Sequence, residues 1–68
     1  MPQIVVNGEK RDFGEGETLE DLLRSLGVKT GPGLIVERNG TVVPHGDYGD
    51  VRVQEGDRLE LVRLVGGG

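Results

Sequence analysis

The side chains in this sequence that could do acid–base chemistry are carboxylates and one histidine. The 68 residues include 12 acidic side chains, 8 basic side chains, 1 histidine and no cysteine. General acid–base catalysis needs carboxylates in a shielded pocket that separates their pKa values. We predict instead that the acidic pairs are solvated surface groups, because they fall in predicted turns or on the exposed face of a predicted helix. These pairs are Glu15/Glu17, Glu20/Asp21, Asp47/Asp50 and Glu55/Asp57.

His45 is followed by Asp47 and Asp50, a combination that could hold a metal ion. Its spacing matches no closed metal site, so we predict a loop residue and no metal site. Gly14-Glu15-Gly16 lacks the further glycine, the lysine and the hydroxyl residue of a phosphate-binding loop. The lack of cysteine excludes disulfides, thiolate metal sites and a cysteine nucleophile. We therefore expect no catalytic residues, and a protein that is not an enzyme.

The C-terminal tail, Gly66, Gly67 and Gly68, directly follows an apolar strand segment. Because glycine lacks a Cβ, this backbone could pass through a channel too narrow for any side chain. We expect the unbound tail to have no fixed conformation, and ordering it would cost about 1–2 kcal/mol per residue. The tail therefore predicts an arm that carries the α-carboxylate of Gly68 into a site on another protein.

A carboxylate is a poor electrophile because its negative charge resists attack, so activation requires a good leaving group. Adenylation by ATP supplies one, and a sulfur nucleophile can then displace AMP. The product is a thiocarboxylate at Gly68. This chemistry requires neither a side chain nor a bound cofactor from this chain, since the activating partner consumes the ATP.

Composition restricts the class of protein further. A chain of this length supports one domain, predicted at residues 1–65 and followed by the tail at residues 66–68. The net charge of −4 disfavours nucleic-acid binding and favours partners with basic surfaces. Apolar runs reach three residues, so we expect no membrane span and no signal peptide. The expectation is a cytoplasmic monomer.

Turn signals divide most of the chain into strands. Asn7-Gly8 and Asn39-Gly40 are typical of two-residue hairpin turns. They predict two strand pairs, at residues 4–7 with 9–13 and 34–38 with 41–43. A short extended or 3₁₀ segment is predicted at residues 51–54, and a last strand at residues 58–65.

The helix signal is a leucine stripe that follows Thr18. Thr18 and Asp21 predict a shortened capping box at its start, and Gly27 predicts its end. A helix this short is marginal alone, so its leucines must pack on a sheet. Combined with the period-two positions of the strands, the stripe predicts a core. Its members are Ile4, Val6, Leu19, Leu22, Leu23, Leu26, Ile35, Val43, Leu59 and Leu61.

The order of hairpin, helix, hairpin and final strand indicates the α+β class, with one helix across one face of a sheet. A right-handed crossover would bring the last, apolar strand into the sheet beside Ile4–Val6. We predict a ubiquitin-like β-grasp with a mixed sheet of four to five strands.

Several segments resemble one known family along essentially the whole chain. They are Ile4-Val5-Val6-Asn7-Gly8, Thr18-Leu19-Glu20-Asp21-Leu22-Leu23, Val36-Glu37-Arg38-Asn39-Gly40 with Val43-Pro44, and the closing block at residues 55–68. In these segments the sequence resembles the ThiS family of thiamin-biosynthesis sulfur carriers. Tyr48 stands where such carriers often have an aromatic residue, between Gly46 and Gly49, which predict a flexible loop.

The resemblance implies three partners. An E1-like adenylating enzyme of the ThiF type would activate Gly68 with ATP, and a cysteine desulfurase or related sulfurtransferase would supply sulfur. Thiazole synthase of the ThiG type would take the sulfur for the thiazole ring of thiamin. Gly66 and Gly67 would lie in a partner's channel. Leu64 and Val65 are the predicted docking surface, because strict strand alternation breaks after Leu61.

Two alternatives stay open. The same carrier chemistry could serve molybdopterin synthesis, transfer-RNA thiolation or cysteine synthesis, although molybdopterin carriers are usually longer. In a different class, a ubiquitin-like modifier would join Gly68 to a lysine through an isopeptide bond. A requirement for thiamin after gene deletion would favour the first function over these alternatives, and high-mass conjugates would favour the modifier.

Overall fold

The computed structural model describes residues 2–64, which form five strands and one α-helix. In chain order these are β1 (Gln3–Val6), β2 (Glu9–Asp12), α1 (Leu19–Ser25), β3 (Leu34–Arg38), β4 (Thr41–Val42) and β5 (Arg58–Arg63). A single 3₁₀ turn at His45–Asp47 precedes β5, in a segment predicted as a polar loop. The segment predicted at residues 51–54 contains one isolated bridge, between Arg52 and Thr18.

The strand order across the sheet is β2-β1-β5-β3-β4. β1 pairs with β5 in parallel, and the other neighbouring pairs are antiparallel. The last strand in the chain therefore lies at the centre of the sheet beside the first, as predicted. This mixed sheet with one helix confirms the α+β, ubiquitin-like β-grasp prediction.

Both Asn-Gly dipeptides form hairpin turns. Asn7 and Gly8 have φ angles of 49° and 85°, while Asn39 and Gly40 have φ angles of 53° and 87°. Positive φ at both central residues gives a turn whose twist matches that of the paired strands. The two turns thereby set the registers of β1 with β2 and of β3 with β4.

The start of α1 carries the predicted capping box. The Thr18 hydroxyl accepts a hydrogen bond from Asp21 N–H over 3.1 Å, and the Asp21 carboxylate accepts one from Thr18 N–H over 3.3 Å. Hydrogen bonding of the Asp21 carboxyl with the Thr18 backbone N–H foremost, and then with the Thr18 side chain, holds the pKa of Asp21 below its ordinary value. Gly27 adopts φ of 74° just after the C-cap, Leu26. Within residues 2–64, no helix is long and apolar enough to cross a membrane.

One hydrophobic cluster joins α1 to the inner face of the sheet. The leucine stripe is central to it, since Leu19 and Leu23 are fully buried. Leu26 and Leu61 are half-buried and pack against the cluster. Its buried members are Ile4, Val6, Leu19, Leu22, Leu23, Leu34, Val36, Val43, Tyr48, Val53 and Leu59.

The prediction of Ile35 as a core residue is wrong. Leu34 and Val36 are buried, while Ile35 lies between them and is only half-buried. Successive strand residues point to opposite faces of the sheet. Placing Ile35 in the core therefore assigns every β3 side chain to the wrong face. The register confirms this assignment, because Val36 is opposite Leu61 and Ile35 is opposite Val62.

The segment between β4 and β5 packs against the start of the helix. Leu19 N–H donates to Val51 O over 2.8 Å, and Glu20 N–H donates to Tyr48 O over 3.0 Å. In this segment Tyr48 and Val53 are buried, at 3% and 5% exposed. Neither residue was predicted in the core, because each is surrounded by polar residues and glycines in the sequence.

Asp57 corrects the prediction that every acidic pair is solvated, since it is 6% exposed. Its carboxylate accepts hydrogen bonds from Arg38 Nε, from Asn39 Nδ2 and from Gln54 N–H. Burial alone would raise the pKa of Asp57, but these three bonds and the Arg38 charge hold it below its ordinary value. Asp57 is therefore a structural anion at the start of β5.

Candidate functional site

Strand β5 ends beside the loop of residues 29–33, where the chain leaves the sheet. Leu64 N–H donates to Gly33 O over 2.7 Å, and Arg63 Nη2 donates to Lys29 O over 2.6 Å. We call Arg63 and Leu64 the tail root. Val65, Gly66, Gly67 and Gly68 lie outside the described residues, so their predicted roles stay predictions.

Gly33 has a backbone conformation that favours glycine, with φ of +90°. An ideal Cβ added to it would lie 3.1 Å from Leu64 O, which is tighter than most real Cβ contacts. Both the torsion and the neighbouring backbone therefore oppose a side chain at this position. The loop and the tail root thus lie in direct backbone contact.

The face of the sheet opposite the helix carries exposed aliphatic side chains, and we call it the outer sheet face. Val62 is 46% exposed and Val42 is 56% exposed, and Ile35 lies opposite Val62 on the neighbouring strand. Leu64 is 60% exposed and lies two residues beyond Val62, where strand alternation would place it on the same face. The structure thus adds three aliphatic side chains to the face that carries the predicted docking residue Leu64, and the sequence analysis did not identify them.

Two carboxylates lie among these aliphatic side chains. Glu37 and Glu60 are direct cross-strand partners, and Val42 is opposite Glu37 on its other side. Like charges directly opposite each other destabilise a sheet. A pair that costs stability in the free protein is suited to a partner that presents positive charge. The outer sheet face therefore combines apolar area with two carboxylates that lie opposite each other.

An open cleft of about 530 Å³ lies on the other side of the tail root. Leu34 and Leu61 contribute apolar walls, and Lys29 and Arg63 contribute positive charge. At its edge, Asn7 Oδ1 accepts a hydrogen bond from Leu61 N–H over 2.8 Å, which continues the pairing of β1 with β5. Among residues 2–64, no carboxylate or imidazole lines this cleft.

His45 is fixed by structural contacts. Its Nε2 lies 2.7 Å from Leu34 O, and its ring stacks on Tyr48 with 5.3 Å between centroids. Because a carbonyl oxygen only accepts hydrogen bonds, Nε2 must carry the proton. Among residues 2–64, no three His, Asp or Glu side chains form a group that could hold a metal ion. The remaining acidic pairs are exposed, apart from the half-buried Glu17.

One of the site residues that sequence reasoning missed, Val62, has a detectable signal. Val62 follows the solvent-facing positions Arg58 and Glu60 at a spacing of two, yet it is apolar. Strand alternation therefore places this aliphatic side chain on the exposed face of the sheet, and that placement is the signal. Gly33 gave no comparable signal, because its contact with Leu64 joins residues far apart in sequence.

Comparison with known proteins identifies relatives in sequence. The chain is 46% identical over 66 residues to a thiazole synthase of Paramagnetospirillum magneticum and to one of Magnetococcus marinus. Each match covers 97% of this chain but 20% of the relative. The chain therefore spans about a fifth of the length of these curated relatives.

Solved structures share the fold over nearly the whole chain. The crystal structure of the thiamine biosynthesis protein ThiS from Geobacter metallireducens has a TM-score of 0.82 and 29% identity, covering 97% of this chain and 99% of that one. A solution structure of a thiamine biosynthesis protein from the same organism has a TM-score of 0.76 and 31% identity, covering 97% and 87%. The sequence profile of the ThiS family matches residues 4–68. Because that match includes the β-grasp core, the tail root and the terminal glycines, the chain belongs to the ThiS family.

Proposed function

We propose that this protein is the sulfur carrier for formation of the thiamin thiazole ring. An E1-like adenylating enzyme of the ThiF type activates the α-carboxylate of Gly68, and the resulting thiocarboxylate donates sulfur to the ring. The observation that carries the proposal is the ThiS family match over residues 4–68, which extends through the three terminal glycines. The structure adds an exposed aliphatic surface beside the tail root.

The chemistry divides between the partners and this chain. A Gly68 carboxylate oxygen attacks the α-phosphorus of ATP, and pyrophosphate leaves. The terminal sulfur of a persulfide, supplied by a cysteine desulfurase or sulfurtransferase, then attacks the acyl carbon and displaces AMP, and a thiol reductant cleaves the resulting acyl disulfide to release the thiocarboxylate. This chain contributes the carboxylate and the surface that presents it, and the activating enzyme binds and consumes the ATP.

The outer sheet face is the part of the described structure suited to dock these enzymes. Its centre is aliphatic, as the cores of protein interfaces commonly are. Glu37 and Glu60 lie opposite each other within it, and the whole chain has a net charge of −4. We therefore propose partner surfaces with an apolar centre and basic neighbours, which also speed encounter through electrostatic steering.

Thiazole synthase is the proposed sulfur acceptor. The two relatives with that name contain a segment 46% identical to this chain within a polypeptide about five times as long. The presence of a segment similar to this chain within a longer thiazole synthase supports a functional interaction between that segment and the rest of the enzyme. In this protein the corresponding contact would form between separate chains or domains.

The test is intact mass spectrometry of the protein from cells, combined with gene deletion. The proposal expects a fraction of the chain to carry one sulfur in place of one oxygen, localised to Gly68. It also expects deletion to create a requirement for thiamin that the thiazole precursor relieves. A requirement for another sulfur-containing product, with normal thiamin synthesis, would move the carrier to another pathway. Covalent conjugates of Gly68 with protein lysines would indicate a modifier.

A further inference from the structure

The loop of residues 29–33 holds the tail root through two backbone carbonyls. Gly33 O accepts from Leu64 N–H over 2.7 Å, and Lys29 O accepts from the Arg63 guanidinium over 2.6 Å. The loop is itself tied to the sheet, because Leu34 N–H donates to Gly31 O over 3.3 Å. These bonds join Leu64 to the sheet four residues before Gly68.

Gly33 differs in its surroundings from comparable glycines. An added Cβ at Gly33 would meet Leu64 O at 3.1 Å. Gly8, Gly40 and Gly56 have φ angles of +85°, +87° and +86°, but there a Cβ would meet nothing within 4 Å. A side chain at Gly40 is therefore opposed by backbone torsion alone, whereas one at Gly33 must also displace the tail root.

We propose that Gly33 is the positioning residue for the C-terminal tail. Because Gly33 has no side chain, Leu64 can lie against the loop, and this contact fixes the position of Leu64, the residue that precedes residues 65–68 in the sequence. The inference rests on the proposed function and deepens it. Four residues reach about 13–14 Å at about 3.3–3.6 Å each, so the position of Leu64 determines where the Gly68 carboxylate can be delivered.

This role has a kinetic signature. Releasing Leu64 from Gly33 disturbs one side chain of the outer sheet face but leaves Val42, Val62 and Glu60 in place, so KM for the carrier should rise by less than kcat falls. The acyl carbon of Gly68 must still be aligned closely with ATP. In the variant, Leu64 must also be ordered when the tail binds, because it is no longer held by Gly33. We therefore expect kcat to fall about tenfold. A merely structural defect would instead lower the rate in proportion to the fraction of unfolded protein.

The test compares Gly33→Val with Gly40→Val, because both add a β-branched side chain at nearly the same φ and only the first meets Leu64. Amide hydrogen exchange of Leu64, followed by NMR, reports on the anchor without any partner. ATP–pyrophosphate exchange with the cognate adenylating enzyme gives kcat and KM, and thermal melts give the folded fraction. If a valine variant does not fold, Gly33→Ala and Gly40→Ala replace the pair.

The expected result is a loss of Leu64 protection and a fall in kcat of about tenfold for the Gly33 variant relative to its Gly40 control. Equal kcat values, a change confined to KM, or unchanged Leu64 protection would each overturn the proposal. Lack of exchange with wild-type protein would overturn the proposed adenylation and the kinetic role of Gly33 together. The Leu64 readout separates the cases, because it reports on anchoring in the free protein.

Discussion

Arg38 Nε donates to Asp57 Oδ2 over 2.9 Å, and this ion pair joins the end of β3 to the residue that precedes β5. Asn39 extends the link, since its side-chain amide donates to Asp57 and its side-chain oxygen accepts from Arg58 N–H. The hairpin turn after β3 and the turn before β5 therefore form one hydrogen-bonded unit. Through it, two distant segments of the sequence fix the start of the central strand.

Replacing Asp57 with alanine should destabilise the protein by about 2–3 kcal/mol. The change removes three hydrogen bonds and leaves the Arg38 guanidinium, whose side chain is 31% exposed, without its partner. Urea titration measures the loss of unfolding free energy. Glu55→Ala is the matched control, because Glu55 is an exposed carboxylate in the same turn and should change stability by less than about 0.5 kcal/mol. Equal effects of the two changes would contradict a structural role for Asp57.

Stability should fall at acid pH more steeply in the wild-type protein than in Asp57→Asn. The pKa of Asp57 is lower in the folded protein than its ordinary value of 3.8. A lowered pKa contributes stability that is fully present above the ordinary value and is lost as pH falls through the folded one. Urea titrations at pH 7 and at pH values below about 4 should therefore show the two proteins converging. A constant difference between them across that range would contradict the assignment.

Local signals in the sequence were sufficient for most of the fold. The Asn-Gly turns and the capping box of Thr18 with Asp21 act over four or fewer residues, so their residue types alone predict them. The sheet order followed from the apolar character of the last strand. The turns and the capping box can therefore be predicted without knowing the tertiary contacts of the rest of the chain.

Features decided by tertiary contacts were not predictable in the same way. β3 reads Leu34-Ile35-Val36, and three consecutive aliphatic residues do not show which parity faces the helix. In the sequence, Asp57 looks like an ordinary carboxylate in a turn, because its contact with Arg38 forms only in the folded protein. For the candidate site, the sequence predicted Leu64, but not its neighbours on the strand beside β5 or its bond to Gly33.

Replacing Tyr48 with phenylalanine should leave stability unchanged or raise it slightly. Tyr48 Oη is buried and has no hydrogen-bond partner in the described part of the chain, and burial raises the pKa of this phenol. Removing an unpartnered polar atom loses no bond and removes a desolvation cost of about 1–3 kcal/mol at most. Thermal melts of Tyr48→Phe against the wild type measure the effect. A marked loss of stability would show that the hydroxyl has a partner after all.

Replacing Glu60 with glutamine should stabilise the free protein while weakening its association with the adenylating enzyme. The change removes a like-charge contact with Glu37 across the strands, worth about 0.2–1 kcal/mol. It also removes negative charge from the outer sheet face, which should slow association at low salt. Urea titration gives the first quantity, and stopped-flow association at two salt concentrations gives the second. Glu9→Gln, on the edge strand β2, is the control for loss of charge alone.

Deleting Gly68 should abolish adenylation while leaving the melting temperature unchanged. In the proposed reaction the reactive group is the α-carboxylate itself, and removing or adding one residue moves it by about 3.3–3.6 Å along an extended chain. Because the carboxylate must lie in line with the α-phosphate of ATP, a shift of that size removes alignment. Appending one alanine should have the same effect. ATP–pyrophosphate exchange with the cognate enzyme, run beside thermal melts, measures both quantities.

Three further substitutions test whether the reaction depends on the tail or on the body of the domain. Gly67→Val should block exchange, because a branched side chain would clash with a channel built for glycine. Glu15→Ala should exchange at the wild-type rate, since Glu15 is an exposed residue of a turn. His45→Ala should do the same in whatever fraction stays folded, because the contacts of His45 are with Leu34 O and the Tyr48 ring. Normal exchange after deletion of Gly68 would refute the carrier chemistry, and loss of exchange in folded His45→Ala would move the site to the body of the domain.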